Sequence, residues 1–126
     1  MGRITGVGGI FFKSPDPKNL ATWYRDILGI EIMEWGGTLL CYDTPGHPPF
    51  VVWNSFQEDS DYFKPSSREF MINFAVDDMD DFLARLAAMA VPLVGRDDDS
   101  PYGRFAWFLD PDGTKIELWQ PKEPAA

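Results

Sequence analysis

Histidine and cysteine, the side chains most typical of zinc sites and of nucleophilic catalysis, are scarce in this 126-residue chain. The chain has one histidine, His47, in a loop between Gly46 and Pro48, and one cysteine, Cys41, in an apolar stretch. Zinc and iron sites need about three or four His, Cys or carboxylate donors. We therefore expect His47 to be a solvated turn residue and Cys41 to be a buried structural thiol.

Glu117 is the acid with the strongest claim to a functional role, because it lies in a strand predicted at residues 115–120. Side chains alternate between the two faces of a strand, so Glu117 should share a face with Lys115 and Trp119. The apolar residues between them would pack under a helix. Glu117 could act as a catalytic base on this inner face, or it could be held there by a structural hydrogen bond.

The strand predicted at residues 70–76 should add Met71 and Asn73 to the same face, while Tyr42 and Trp53 form an opposing wall. A buried amide costs energy unless it is hydrogen-bonded, so Asn73 could orient a ligand or tie the sheet together. An aromatic wall with a few polar groups is typical of ligand pockets. The predicted ligand-binding residues are Tyr42, Trp53, Met71, Asn73, Arg104 and Trp119.

Arg104 has two possible partners. Its guanidinium could bind an anionic ligand as a bidentate fork, or it could pair with the acidic residues at 97–99. Those acids lack the spacing and the closing glutamate of a calcium loop, so we assign them to a solvated surface loop.

The predicted elements recur in the same order in both halves of the chain. The first half reads as strand 4–12, a helix from Pro17 that ends at Gly29, and strands 30–35, 38–43 and 50–56. The second half reads as strand 70–76, a helix capped by Asp77 or Asp78 that reaches Ala90, and strands 91–94, 104–109 and 115–120, with a loop at 97–100. Corresponding elements lie about sixty residues apart, which indicates an internal structural duplication.

Composition limits the classes of partner. Hydrophobic residues make up 44% of the chain and the formal net charge is -9. Residues 1–126 suit a single domain, and the negative charge repels nucleic acid and anionic membranes. No apolar run approaches the roughly 18 residues that span a bilayer, and the first residues lack the pattern of a secretory signal. We expect a cytoplasmic protein with neither nucleic acid nor membrane as a partner.

Two motifs carry a resemblance to a known family. Residues 23–29 have the form W-Y-x-D-x-L-G, and residues 110–118 have the form D-P-D-G-x-x-I-E-L. Together they resemble the glyoxalase, bleomycin-resistance and dioxygenase (vicinal oxygen chelate) superfamily. The resemblance implies an α+β fold in which two βαβββ modules, at about 1–60 and 66–121, form an incomplete barrel around a cavity. It also implies a homodimer, in some members with modules exchanged between chains.

The resemblance further implies four metal-ligand positions in the enzymatic members. In this chain the four ligand positions fall, from the N-terminus onward, near Gly9 or Ile10, near Val52 or Trp53, at Met71 and at Glu117. Only Glu117 has a side chain suited to a divalent metal. We therefore expect the standard metal site of the family to be missing.

Two functions stay open at this stage. The first is the binding of a small organic molecule in the cavity without the family metal, and the acidic composition favours a cationic compound. The second is a metal-dependent lyase, isomerase or dioxygenase of the same superfamily that uses Glu117. We expect no cofactor, and the sequence leaves open whether a divalent metal binds.

Overall fold

The computed structural model describes residues 2–3 and 9–122. The fold is α+β, with two helices and an open four-stranded sheet in the described part of the chain. In chain order the elements are α1 (Pro17–Leu28), β1 (Met71–Ala75), α2 (Met79–Ala88), β2 (Gly95–Ser100), β3 (Gly103–Leu109) and β4 (Lys115–Pro121). Neither described helix is long and apolar enough to cross a membrane.

Helix α1 begins and ends where the sequence predicts. The Asp16 side chain accepts a hydrogen bond from the Asn19 backbone N–H, and Pro17 occupies the first turn. Gly29 ends the helix in the left-handed conformation, with φ of 72°, which glycine adopts without the Cβ clash. The predicted N-terminal cap and C-terminal stop of this helix are confirmed.

Helix α2 is capped by Asp78, whose side chain accepts a hydrogen bond from the Asp81 backbone N–H. Asp80 and Asp81 lie in the first turn, where the helix dipole favours negative charge. The helix ends two residues before Ala90, which itself has a positive φ of 60°. The helix therefore stops slightly earlier than predicted.

Both helices cover one face of the sheet, whose strand order is β1-β4-β3-β2. Strands β1 and β4 are parallel, and the other neighbouring pairs are antiparallel. The core between helices and sheet is apolar and consists of Leu20, Tyr24, Ile27, Leu28, Ile72, Met79, Leu83, Leu86, Ala106, Phe108, Ile116 and Leu118. The βαβββ order predicted for the second module is confirmed.

A buried hydrogen-bond network joins the two sequence motifs. The Tyr24 hydroxyl of α1 donates to Asp110 Oδ2 at 2.8 Å, and Asp110 Oδ1 accepts from the backbone N–H groups of Asp112 and Thr114. Burial, followed by the nearby Asp110 carboxylate, raises the pKa of the Tyr24 phenol. The network fixes helix α1 against the turn between β3 and β4.

The strands predicted in the first half of the chain are not found among the described residues. Residues 4–8 of the first predicted strand lie outside that part, and residues 9–12 form no strand. Residues 33–37 form a hydrogen-bonded turn, but the predicted hairpin has no ladder, and residues 50–56 form no strand. Strands need both a hydrogen-bonding neighbour and a covered face, and here the apolar side chains are exposed.

Between residues 35 and 56, the exposed large apolar side chains are Trp35, Leu39, Leu40, Tyr42, Phe50, Val51, Val52, Trp53 and Phe56. Cys41 is exposed as well, so the prediction of a buried thiol is wrong. Its neighbours do not pack into a sheet that could cover it.

The first strand after α2 also differs from the prediction. Residues 91–94 are irregular, because the Val91 N–H bonds back to the Leu86 carbonyl at the helix end and Pro92 has no N–H to donate. The acidic segment predicted as a loop is strand β2, which pairs with β3. As an edge strand, β2 keeps its charged side chains in solvent or in ion pairs.

Candidate functional site

The candidate site lies on the sheet face opposite the helices. Alternation along β4 places Lys115, Glu117 and Trp119 on this face, as predicted. The strand register sets Asn73 of β1 on one side of Glu117 and Trp107 of β3 on the other. The sheet therefore places a carboxylate between an amide and an indole.

Glu117 is only 7% exposed, and each of its carboxylate oxygens accepts hydrogen bonds. Oε1 accepts from Asn73 Nδ2 at 2.8 Å, and Oε2 accepts from the Tyr62 hydroxyl at 2.5 Å and from Trp107 Nε1 at 2.6 Å. A buried carboxylate is costly unless such donors replace water. We call these four residues the Glu117 cluster.

Tyr62 was not among the predicted site residues. It lies in the polar stretch at residues 57–68, which has neither the period of a helix nor that of a strand. Burial and the hydrogen bond to Glu117 raise the pKa of the Tyr62 phenol. Phe56, Tyr62 and Phe63 pack together at centroid distances of 5.0 to 6.4 Å. The presence of three aromatic residues in and beside a polar stretch is the sequence feature that could have indicated a packed segment here.

For Lys115, the sequence predicts a shared face with Glu117 and Trp119 and no role in a site. The residue is 8% exposed, and its Nζ donates to the Tyr62 backbone carbonyl at 2.5 Å. The ammonium also lies over the rings of Tyr62 and Trp107, 5.1 and 5.5 Å from their centroids. Burial lowers the pKa of Lys115, and the nearby Glu117 charge acts in the opposite sense.

Phe105, Trp107 and Trp119 form an aromatic face, in which Trp107 is also a member of the Glu117 cluster. The Phe105 ring is 6.0 Å from that of Trp107 and 6.3 Å from that of Trp119, with interplanar angles of 7° and 9°. Trp119 Nε1 donates to the Tyr102 carbonyl, which fixes the orientation of the indole. The three rings are thus held nearly parallel.

The structure brings some of the predicted ligand-binding residues together and leaves others apart. Met71 and Asn73 pair in register with Lys115 and Glu117, so they share the face that carries Trp119. Tyr42 and Trp53 are exposed; the Tyr42 ring is tilted by 33° against that of His47, and Trp53 is 79% exposed. The position beside Trp119 is filled by Phe50 instead, with a centroid distance of 6.4 Å.

Arg104 lies on the opposite, helix-covered side of the sheet. Its Nε contacts Asp98 Oδ1 at 2.8 Å and its Nη2 contacts Asp80 Oδ1 at 2.6 Å. Arg96 contacts the same two aspartates, and Arg104 holds the pKa of both carboxyls below the ordinary value. Of the two partners expected for Arg104, the acidic segment is therefore the one observed.

The residues present do not fit the metal site of the family. In the described ranges, 2–3 and 9–122, no three His, Cys, Asp or Glu side chains come close enough together to hold a metal ion. The neighbours of Glu117 are an amide, a phenol and an indole, and the oxygens of Glu117 already accept their hydrogen bonds. Neutral donors of this kind do not replace the His and carboxylate ligands of zinc or iron sites.

Comparison with known proteins identifies the family. The sequence model of the glyoxalase-like domain matches residues 9–119, so this chain belongs to that family. No curated protein matches the chain.

Solved structures include several related proteins. A glyoxalase/bleomycin resistance protein from Streptomyces sp. CB03234 is 41% identical over 39% of this chain and 42% of that chain, with a TM-score of 0.36. The chain spans less than half the length of two of the proteins that it matches, 42% and 47%.

Two longer alignments have higher TM-scores. TnmS3, an antibiotic binding protein from Streptomyces sp. CB03234, is 26% identical over 85% of this chain and 88% of that chain, with a TM-score of 0.52. Lactoylglutathione lyase from Agrobacterium tumefaciens is 19% identical over 85% and 86% of the two chains, also with a TM-score of 0.52. The second likeness shows the fold alone.

Proposed function

We propose that this protein binds a small, planar organic molecule on its aromatic face, without the metal used by enzymes of the family. One observation carries the proposal: Phe105, Trp107 and Trp119 are held nearly parallel beside the buried, hydrogen-bonded carboxylate of Glu117. Aromatic surfaces bind flat ligands by stacking, and a few fixed polar groups orient them. The Glu117 cluster and Lys115 supply those polar groups.

The likeness to TnmS3 supports the same reading. That relative is an antibiotic binding protein, and its alignment covers most of both chains. Binding without chemical conversion needs no metal, and a single carboxylate surrounded by neutral donors agrees with such a role. A catalytic role for Glu117 stays a prediction, because a base needs an oxygen available to its substrate.

The proposal is tested with three tricyclic probes of similar shape: aminoacridine, which is cationic, anthracene carboxylate and the neutral anthracene methanol. Calorimetric titration of the full chain, with a chelator present, should show saturable binding of at least one probe. Trp119→Ala should weaken that binding about tenfold through lost stacking. A requirement for added metal would contradict the proposal.

The matched control is Trp35→Ala, which removes an exposed indole outside the aromatic face. Its affinity for the probes should equal that of the wild type. Equal losses in the two variants would place binding elsewhere, and circular dichroism of both variants confirms that they are folded.

We also propose that the protein is a homodimer and is cytoplasmic, as the sequence predicts. The exposed apolar side chains at residues 35–56 support association with a second copy, because exposed apolar patches commonly mark protein interfaces. Light scattering after size-exclusion chromatography measures the oligomeric state, and a monomer at micromolar concentration would contradict the first prediction.

A further inference from the structure

Lys115 is a buried cation that forms no ion pair with a described residue, although the buried carboxylate of Glu117 is near enough to act on its pKa. None of the ion pairs between described residues includes Lys115. Glu117, the acid two positions away, directs its oxygens to the donors of Asn73, Tyr62 and Trp107. Because buried charges are normally paired, the missing partner of Lys115 requires an explanation.

The groups that do contact the ammonium are neutral. A backbone carbonyl accepts one hydrogen bond, and two aromatic rings lie within 5.5 Å. An ammonium has three N–H donors, so it can bond a further acceptor. An anionic acceptor would form a shorter and stronger hydrogen bond than a carbonyl does.

The cover over Lys115 comes from Tyr62, which lies outside the sheet. Tyr62 belongs to residues 56–63, which form no helix or strand, and its side chain is partly exposed. Lys115 itself is fixed within strand β4, next to β1 and β3. A ligand group that replaced the Tyr62 carbonyl would reach the ammonium from the aromatic face.

We propose that Lys115 is the specificity-determining residue of this site and selects planar ligands that carry an anionic group, such as a carboxylate or a phenolate. This inference rests on the proposed function and adds the chemical class of the ligand. It runs against the overall charge of -9, which would favour a cation. Local contacts decide, because both oxygens of the nearby Glu117 already accept hydrogen bonds while the Lys115 ammonium has N–H donors left for an anion. Exposed charges farther than about 8 to 10 Å away are largely screened in physiological salt.

The test compares dissociation constants for the three tricyclic probes at neutral pH. Wild type should bind anthracene carboxylate roughly tenfold more tightly than anthracene methanol and should bind aminoacridine most weakly. Lys115→Gln should remove the preference for the carboxylate while retaining the affinity for the neutral probe. Lys115→Arg should keep most of the preference, because it keeps the charge.

Lys64→Gln is the matched control, since it removes one positive charge from an exposed lysine near Tyr62. It should leave the preference unchanged. Equal affinities for carboxylate and methanol probes in wild type, tighter binding of aminoacridine, or an unchanged preference in Lys115→Gln would each overturn the inference while leaving the proposed function intact. If no probe binds wild type, the proposed function fails and this inference fails with it.

Should Lys115→Gln not fold, the ranking of the three probes by wild type still decides the matter. Lys115→Arg then supplies the second comparison. Circular dichroism identifies the variants whose affinities can be interpreted.

Discussion

Residues 50–56 and strand β2 contrast in both composition and structure. The first segment is rich in aromatic and β-branched residues, as in Phe50-Val51-Val52-Trp53, yet it forms no strand. Strand β2 contains three consecutive aspartates and is paired with β3. Pairing to a neighbouring strand therefore outweighs intrinsic β-propensity here.

The two segments differ in what surrounds them. Strand β2 forms hydrogen bonds to the edge of β3, and the two helices cover one face of the same sheet. Around residues 50–56 the one aromatic contact to the sheet is that of Phe50 with Trp119, among the described residues. Without a ladder, apolar side chains of this segment stay exposed.

The largest expected effect is a difference in stability between two variants, one with a phenylalanine removed from the core and one with a phenylalanine removed from residues 50–56. Phe108→Ala should lower the free energy of unfolding by about 3–5 kcal/mol, because Phe108 is fully buried between sheet and helices. Phe50→Ala should change it by less than about 1 kcal/mol, since Phe50 is 58% exposed. Urea denaturation of both variants measures the difference, and similar losses would mean that residues 50–56 pack against a covered surface.

A second prediction concerns the Glu117 cluster. Glu117→Ala should lower the free energy of unfolding by about 2 kcal/mol, because it removes the hydrogen bonds that Asn73, Tyr62 and Trp107 donate to a buried carboxylate. Glu58→Ala, in an exposed position, is the matched control and should have little effect. Equal stability of the two variants would show that the cluster contributes nothing to the sheet.

The third prediction is that ionisation of Tyr24 lowers the free energy of unfolding at alkaline pH. Its folded pKa lies above the ordinary value, so its contribution is complete below about pH 10 and is lost as the pH rises toward the folded pKa. Tyr24→Phe should cost about 1 kcal/mol at neutral pH and should reduce the alkaline decline. Urea denaturation from pH 7 to 11 checks both effects; an identical pH dependence in the variant would exclude Tyr24 as the cause.

The smallest effect is expected at strand β2. Asp98→Asn should slightly lower Tm by weakening the ion pairs to Arg96 and Arg104, which are solvent-accessible. The difference from wild type should shrink in high salt because salt screens exposed charges. It should also vanish in acid, since the Asp98 pKa is lowered in the folded state and its contribution is lost as the pH falls through that value. A difference that persists in salt would point to a backbone effect on the strand.

Much of the second half was predictable from local patterns. Asp78 and the apolar stripe at Met79, Leu83 and Leu86 indicated α2, and all three apolar residues are buried. Alternation along β4 identified the face shared by Glu117 and Trp119. These features depend on neighbours within a few positions of each other, which a sequence pattern records directly.

Other features depend on contacts between distant segments. Tyr62 donates to Glu117 across 55 positions, and no local period marks a phenol in a polar stretch as the donor to a buried carboxylate. Arg104 could have pointed toward a ligand or toward acids, and its place in β3 beside α2 decided for Asp80 and Asp98. The strands expected at residues 30–56 depended in the same way on edges that this part of the chain does not meet.

By itself, the sequence determined the two helices, the βαβββ order of the second half and the membership of the glyoxalase-like family. Tertiary structure decided which segments become strands and which donors surround Glu117. Helices form and end through hydrogen bonds and caps within a few residues, so their signals are local. Sheet pairing and the burial of a charge require partners from distant positions, which only the folded chain brings together.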